Sequence, residues 1–490
     1  MDTLKAALID PLNDFLYTYL LIYVLVGLGI YFTVRTRAVQ VRLAKHMWHV
    51  VVVSRGDAHG GISSFQAFCV GLASRVGTGN IVGVAIALTL GGPGAIFWMW
   101  MVAFIGMATA FVEATLGQLF KVRSAGGTYR GGPAYYIQRG LGSKGLAVLF
   151  AVLLIFTFGF AFNMVQANTI AGVLEAEHGV GVGWTAALLV LLAAPILFGG
   201  VRRIARISAV VLPVMAGLYV LLAVVIIGLN IGQVPAAVRM IVDGAFGLDE
   251  AAAGVAGGVF AALMNGVRRG LFSNEAGMGS APNTAATATV SHPVKQGLVQ
   301  SLGVFVDTMI VCSATAFMIL LAGPTVFTPG VTTDAAGATL TTLAVTTALG
   351  AWATPLMTML IFVFAFTSLF GNYAYVEVNL AYLGIRTASG VAAFRVLVLA
   401  AVATGSVLSL EVVWDIADIA MAGMALVNLT ACTLLLRWVL GALRDYEHRM
   451  RTGTLDERFV GHGNRFLPGD LPGAVWAPRV TERDPSQNGR

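Results

Sequence analysis

Long apolar stretches dominate this chain, separated by short polar segments in which arginine recurs. About 20 helical residues cross a hydrocarbon core. Runs of that kind fall near residues 14–34, 62–90, 94–119, 146–173, 182–200, 206–231, 252–289, 297–323, 352–383, 391–410 and 412–440. They are rich in Leu, Ala, Val and Gly and lack apolar/polar alternation, which argues against an outer-membrane barrel. The pattern predicts an all-α membrane protein with eleven transmembrane helices.

Two of these spans carry glycine and polar residues at mid-depth. The second reads Ala73-Ser74-Arg75-Val76-Gly77-Thr78-Gly79-Asn80, and the seventh reads Phe272-Ser273-Asn274-Glu275-Ala276-Gly277-Met278-Gly279-Ser280. Each is expected to break its helix. Five spans run from the second to the sixth and five from the seventh to the eleventh, so the second set enters from the opposite face. Paired interrupted helices in corresponding positions of two inverted repeats mark a midplane binding site. The expected organisation is an extracellular N-terminus, accessory helix and cytoplasmic loop over 1–58, a first repeat over 59–233, a second over 250–440, and a disordered cytoplasmic tail over 441–490.

Beyond each break a new half-helix begins, one near Asn80 as its N-cap and the other near Ser280 with Pro282 in its first turn. Both would aim free amides and a positive dipole end at the same depth, which suits a carboxylate. Carbonyls freed by the unwinding offer oxygen ligands to a small cation. Tight helix packing by small residues is the plainer explanation of the glycines, but packing does not call for the adjacent Asn, Ser, Glu and Arg.

Composition agrees with a lipid environment: 57% of the residues are hydrophobic and 11% charged, against roughly 25% charged in a soluble domain. With the N-terminus outside, 25 of the 30 basic residues fall in cytoplasmic segments and only Lys5 and Arg239 outside. Positive loops stay cytoplasmic, so the net charge of +6 is topology rather than a nucleic-acid surface. The first apolar run lacks a small-residue cleavage site and reads as a retained helix. The three cysteines lie in predicted spans without metal-site spacing, and His46 with His49 reads as a solvated face.

Charges inside spans are costly, about 2.5 to 3.5 kcal/mol each, so Arg75, Arg268, Arg269 and Glu275 must be paired or hydrated. Glu275 is expected to pair with Arg269 or Arg75. Glu113, Asp307, Glu377, Asp415 and Asp418 are candidate proton carriers, although no histidine relay accompanies them. Gln166 and Asn163, with Asn168 nearby, could bond a ligand or join helices. Thr367 and Ser368 have hydroxyls suited to a hard cation, yet such residues commonly bond back to their own helix.

The stretch from Gln66 to Pro93 and the run Arg269-Gly270-Leu271-Phe272-Ser273-Asn274-Glu275-Ala276-Gly277 resemble the sodium:alanine or glycine symporter family. So do Gly131-Gly132-Pro133-Ala134-Tyr135-Tyr136, Asn163-Met164-Val165-Gln166-Ala167-Asn168 and His292-Pro293-Val294-Lys295-Gln296-Gly297. The resemblance implies the leucine-transporter (LeuT) architecture, an accessory helix followed by a five-plus-five inverted repeat with two broken helices. It implies a substrate site at Thr78, Gly79, Asn80, Gln166, Phe272, Ser273, Gly277, Gly279 and Asn372. It also implies a sodium site taking backbone oxygens of Ala73, Val76 and Phe364 with the hydroxyls of Thr367 and Ser368. Many family members carry Gly-Trp where this chain has Gly371-Asn372, which opens the way to a larger or more polar substrate such as glutamine or serine.

The expected function is sodium-coupled symport of a small neutral amino acid into the cell by alternating access, from a multi-pass position in the inner membrane. A proton-coupled or exchange transporter of the same fold is the alternative. The partners implied are the amino acid, co-transported Na+ and the bilayer, with no obligate protein partner evident; no residue set resembles an enzyme's nucleophile and base.

Overall fold

The computed structural model describes residues 9–53, 62–124, 128–199, 201–247, 258–332 and 337–478. It is a bundle of helices. The first, α1 (Asp10–Arg35), is followed by a short surface helix α2 (Ala44–Val53) and then by the second expected span in two pieces, α3 (Ser64–Arg75) and α4 (Gly79–Gly91), bent by 52° at their junction. Next come α5 (Gly94–Leu119), a two-stranded ribbon of β1 (Val122–Arg123) and β2 (Tyr129–Arg130), α6 (Pro133–Leu141), α7 (Lys144–His178), α8 (Val182–Leu197), α9 (Val201–Leu229) and α10 (Val234–Phe246). The second half holds α11 (Gly258–Asn274), α12 (Ala281–Ala285), α13 (Pro293–Leu321), α14 (Gly337–Leu349), α15 (Ala353–Tyr382), α16 (Ala388–Val407) and α17 (Leu410–Thr452).

Among the described residues, eight helices are long and apolar enough to cross a bilayer, and the bent pair α3–α4 makes up to nine. This falls short of the eleven expected spans. The fifth is a helix of 16 residues, α8, and the seventh begins as a helix of 17, α11. The all-α membrane class stands on these helices.

Local chemistry accounts for both breaks. A capping box opens α3, with Ser63 and Gln66 exchanging side-chain and backbone bonds, and the helix ends where Val76 turns extended at φ −75° and ψ 92°. In the seventh span, Glu275, Gly277 and Gly279 all take positive φ, at 56°, 103° and 77°. That conformation costs little for glycine but strains a glutamate. Only five helical residues, α12, follow this second break, and a parallel bridge between Ile62 and Ala288 then ties the far ends of the two broken spans together. The expected second half-helix therefore has little dipole of its own.

The intramembrane arginines are paired otherwise than expected. Arg269 bonds Asp418 at 2.6 Å, over the ring of Trp414 at 4.4 Å, and not Glu275. Arg268 lies 4.5 Å from the ring of Tyr17 and 3.8 Å from Asp14. Arg75 donates to the Gln300 carbonyl at 3.3 Å.

The tail also differs from expectation. Instead of being disordered from 441, the chain continues as α17 to Thr452, and residues up to 478 fold back on the face where α5 ends and α13 begins. Phe459, Leu471 and Trp476 are buried there; the Phe459 amide bonds the Ser291 carbonyl at 2.8 Å, and the Trp476 indole bonds the Gln118 carbonyl at 2.9 Å. Apolar side chains within a Pro/Gly-rich, charged stretch supply the driving force that its composition conceals. Residues 479–490 lie outside the described residues.

Candidate functional site

The two breaks meet. The Asn80 amide donates to Ser273 Oγ at 3.1 Å and to Asp307 Oδ1 at 2.7 Å, while Ser273 Oγ donates to Asp307 Oδ2 at 2.6 Å. One carboxylate of α13 thus gathers a side chain from each broken span. Phe272 packs against Gly79: a Cβ there would stand 2.8 Å from its ring, which glycine avoids. From α7, Gln166 Oε1 accepts from Thr78 Oγ1 at 2.6 Å and from the Thr78 amide at 3.1 Å. Thr78, Asn80, Gln166, Phe272 and Ser273 are all buried.

Asn80 is not the N-cap expected from the sequence. It lies inside the first turn of α4, where its Oδ1 accepts from the Gly77 amide at 2.9 Å, and Thr78 occupies the cap position without a side-chain capping bond. The substitution makes sense physically, because an asparagine used in this way satisfies one orphan amide and leaves its NH2 free to hold Asp307.

A second polar chain leads away from the first break. Ser74 Oγ stands 2.7 Å from both Glu275 Oε1 and Asn372 Oδ1, and the Asn372 amide donates to Asn163 Oδ1 at 2.9 Å. Glu275 also accepts from Ser280 Oγ. The hydroxyls of Ser74 and Ser280 bond the Glu275 carboxyl, which bridges the two breaks, while the Arg75 charge acts on it without a direct bond. Helix α15 reaches this point only because residue 371 is glycine; a Cβ there would lie 2.6 Å from the Ser74 nitrogen.

Gly277 and Gly279 turn the other way. The Gly279 amide donates to Glu113 at 3.1 Å, and the Gly277 carbonyl accepts from Asn428 at 2.9 Å. Their partners, Glu113 and Asn428, belong to α5 and α17, so these glycines do not join the cluster around Gln166.

Of the expected cation ligands, the Ala73 and Phe364 carbonyls meet at the Ser368 hydroxyl. Ser368 Oγ lies 2.9 Å from the Ala73 carbonyl and 3.0 Å from the Phe364 carbonyl. Thr367 is buried and bonds back to the same Phe364 carbonyl at 3.0 Å, its own helix's acceptor. Val76 is buried, and its amide closes α3 on Leu72 at 2.7 Å. The donor set of backbone carbonyls and an aliphatic hydroxyl has the hard-oxygen character a small alkali cation takes.

The sequence marks Asp307 only as one acidic residue among several. Its neighbour in sequence, Thr308, donates to it at 2.8 Å, yet nothing in the local pattern tells that Asn80, 227 residues away, would do the same. His46 bonds the Tyr446 hydroxyl at 2.8 Å, and among the described residues no group of His, Cys, Asp and Glu is arranged for a metal. All three cysteines are free and buried.

Residues 1–460 match the sodium:alanine symporter family. The chain belongs to that family. This symporter-family chain is 47% identical over 444 residues to the "Probable sodium/glutamine symporter GlnT" of Bacillus subtilis strain 168, covering 90% of each protein. It is 45% identical over 483 residues to "Amino-acid carrier protein AlsT" of the same organism, covering 98% of this chain and 100% of that one. It is 37% identical over 435 residues to "Sodium/alanine symporter AgcS" of Methanococcus maripaludis, covering 88% and 94%. The family member described here is thus a multi-pass membrane transporter.

Proposed function

We propose that this chain carries a small neutral amino acid into the cell together with sodium, by alternating access about the two breaks. Sodium-coupled amino-acid symport is the activity class of the family. The observation that carries the finer reading is the meeting of Thr78, Asn80 and Ser273 beside Gln166 in the bundle interior. Such a cluster matches a ligand with both a carboxylate and an ammonium: amides and hydroxyls for the first, the Gln166 oxygen and the Asp307 carboxylate for the second. The substrate residues are Thr78, Gly79, Asn80, Gln166, Phe272 and Ser273, with Asn372 at the edge through Ser74. Sodium is co-transported, held by Ala73, Phe364 and Ser368, with Val76 and Thr367 completing the shell once Thr367 releases its own helix.

In this reading the chain crosses the inner membrane eleven times, N-terminus outside and C-terminus in the cytoplasm, in a LeuT-type arrangement of an accessory helix and two inverted five-helix repeats. The short α8 and the interrupted α11 to α12 are the two remaining crossings. The repeats at 59–233 and 250–440 rock about the fixed site.

Asn372 in place of an indole gives the site a polar edge, which favours glutamine as well as alanine. The experiment is uptake of labelled alanine and of labelled glutamine into proteoliposomes with sodium or choline outside. Sodium-dependent uptake of either one, with the other competing, is expected; uptake that follows a pH gradient and ignores sodium would favour the proton-coupled alternative and remove this one.

A further inference from the structure

The folded tail does more than cover the cytoplasmic end of the bundle. With the loop after the second break and the segment after α5 it encloses a cavity of about 630 Å³. Among the described residues, Lys121, Arg123, Lys295 and Arg458 line it, against a single acid, Asp456. The walls come from three distant parts of the chain, which the bonds from the Phe459 amide to Ser291 and from the Trp476 indole to Gln118 hold together.

Lys121 is the decisive residue. It is only 2% exposed, and its ammonium is caged by the rings of Tyr129 at 4.1 Å and Trp476 at 4.9 Å. The one hydrogen bond it makes, 2.9 Å to the Ala288 carbonyl, is to a neutral group, and among the described residues it forms no ion pair. A buried charge is ordinarily paired, because burial strips it of water. Burial, with the Arg458 charge adding to it, pushes the Lys121 ammonium well below a lysine's ordinary range. The Ser291 hydroxyl, on the same wall, is likewise buried with no hydrogen-bond partner.

We infer that this cavity is a binding site for a phosphate-bearing anion, whose oxygens pair with Lys121, Lys295, Arg123 and Arg458 and accept from the Ser291 hydroxyl. Phosphate fits the arrangement because several cations converge on one space and the anion offers several acceptor oxygens to them. The ligand's remainder lies on the Trp476 and Tyr129 side. The site rests on Ala288 and on the loop from Thr289 to Ser291, the segment that joins the second break to α13, and Thr289 in turn bonds the Ile62 carbonyl at 3.0 Å before the first break. An anion here therefore clamps the cytoplasmic ends of both broken spans. The inference is independent of which amino acid is carried.

The shared chemistry has two sources, a soluble phosphate compound or an anionic lipid headgroup, and the test separates them. The full chain in phosphatidylcholine nanodiscs is titrated with inorganic pyrophosphate by calorimetry, and again in discs containing phosphatidylglycerol. Saturable binding is expected in the first discs, weakened roughly tenfold in Lys121→Met, the loss of one charge-assisted bond, and several-fold in the double variant R123Q/K295Q. The double variant leaves the buried cage intact and guards against misfolding of the first. If phosphatidylglycerol abolishes the binding, a headgroup is the resident ligand; if binding persists, a soluble phosphate compound is. The absence of saturable binding in phosphatidylcholine discs, or binding that the double variant leaves unchanged, overturns the site.

Discussion

At the scale of single residues, the membrane interior sorts charges by partner rather than by depth. Arg269 and Asp418 are both buried and 2.6 Å apart, so removing one strands the other. Arg269→Met should lower stability by about 3 to 5 kcal/mol, and the double variant with Asp418→Leu should recover most of it. Thermal unfolding of the detergent-purified protein checks this; a double variant as unstable as the single one would mean that the pair is not what holds α11 to α17. Outside the spans, His292 is buried beside Asp445, 3.0 Å away, and also faces Arg449 and Lys295. Burial pulls its pKa down to about 4, against the pull of the Asp445 carboxylate, from the ordinary value near 6.5. The folded state then refuses a proton that the unfolded chain accepts, so His292's share of stability is full above about pH 6.5 and is lost as pH falls towards 4. A His292→Asn protein, which keeps a side-chain acceptor for the Val294 amide, should show a flatter decline of melting temperature across that window; an unchanged slope would assign the decline to other groups.

At the scale of elements, the breaks are legible in the sequence because glycine and polar residues have no business in the middle of an apolar helix. The run from Ala73 to Asn80 and the run from Phe272 to Ser280 are where the backbone departs from helix, and Glu275 holds a positive φ that no periodicity announces. The segment beyond the second break is not legible: Pro282 correctly marks a first turn, but the helix lasts only to Ala285 because Ala288 leaves to pair with Ile62. Partner choice is hidden too. Asn80 with Asp307, and Arg269 with Asp418, are contacts across 227 and 149 residues, set by how α4, α13 and α17 pack. The fold of the tail escapes the sequence for a related reason, since its few apolar residues do not raise a compositional signal. Trp476 is 3% exposed, and Trp476→Ala should cost about 3 to 5 kcal/mol, as emptying a buried aromatic site usually does; a melting temperature unchanged by that substitution would return the tail to the disordered class.

At the scale of the whole molecule, the bundle brings four elements to one buried point: α4 with Thr78 at its cap, α7 with Gln166, α11 with Ser273 and α13 with Asp307. The oxygens proposed for the cation lie close by, where the Ser368 hydroxyl of α15 meets the Ala73 carbonyl near the end of α3. In the proposed mechanism a ligand that replaces these mutual bonds would draw the two broken spans together, and because Ser74 and Glu275 link the same spans, binding and rocking would share one set of contacts. Coupling to sodium follows if Ser368 must give up the Ala73 and Phe364 carbonyls to the ion before α3 can take its bound position. Replacing Ser368 with Ala should then raise the sodium concentration needed for half-maximal uptake by roughly tenfold, on the order of one lost ligand, while an unchanged sodium dependence would move the ion elsewhere.

The most direct measurement is equilibrium binding of labelled alanine and glutamine to the purified protein in sodium, compared with Asn80→Ala and Ser273→Ala variants that retain the parent's melting temperature. Both variants are expected to weaken binding by roughly tenfold or more, since each loses a hydrogen bond that joins the two breaks. Full affinity in both variants would contradict the claim that the ligand is held where the broken spans meet.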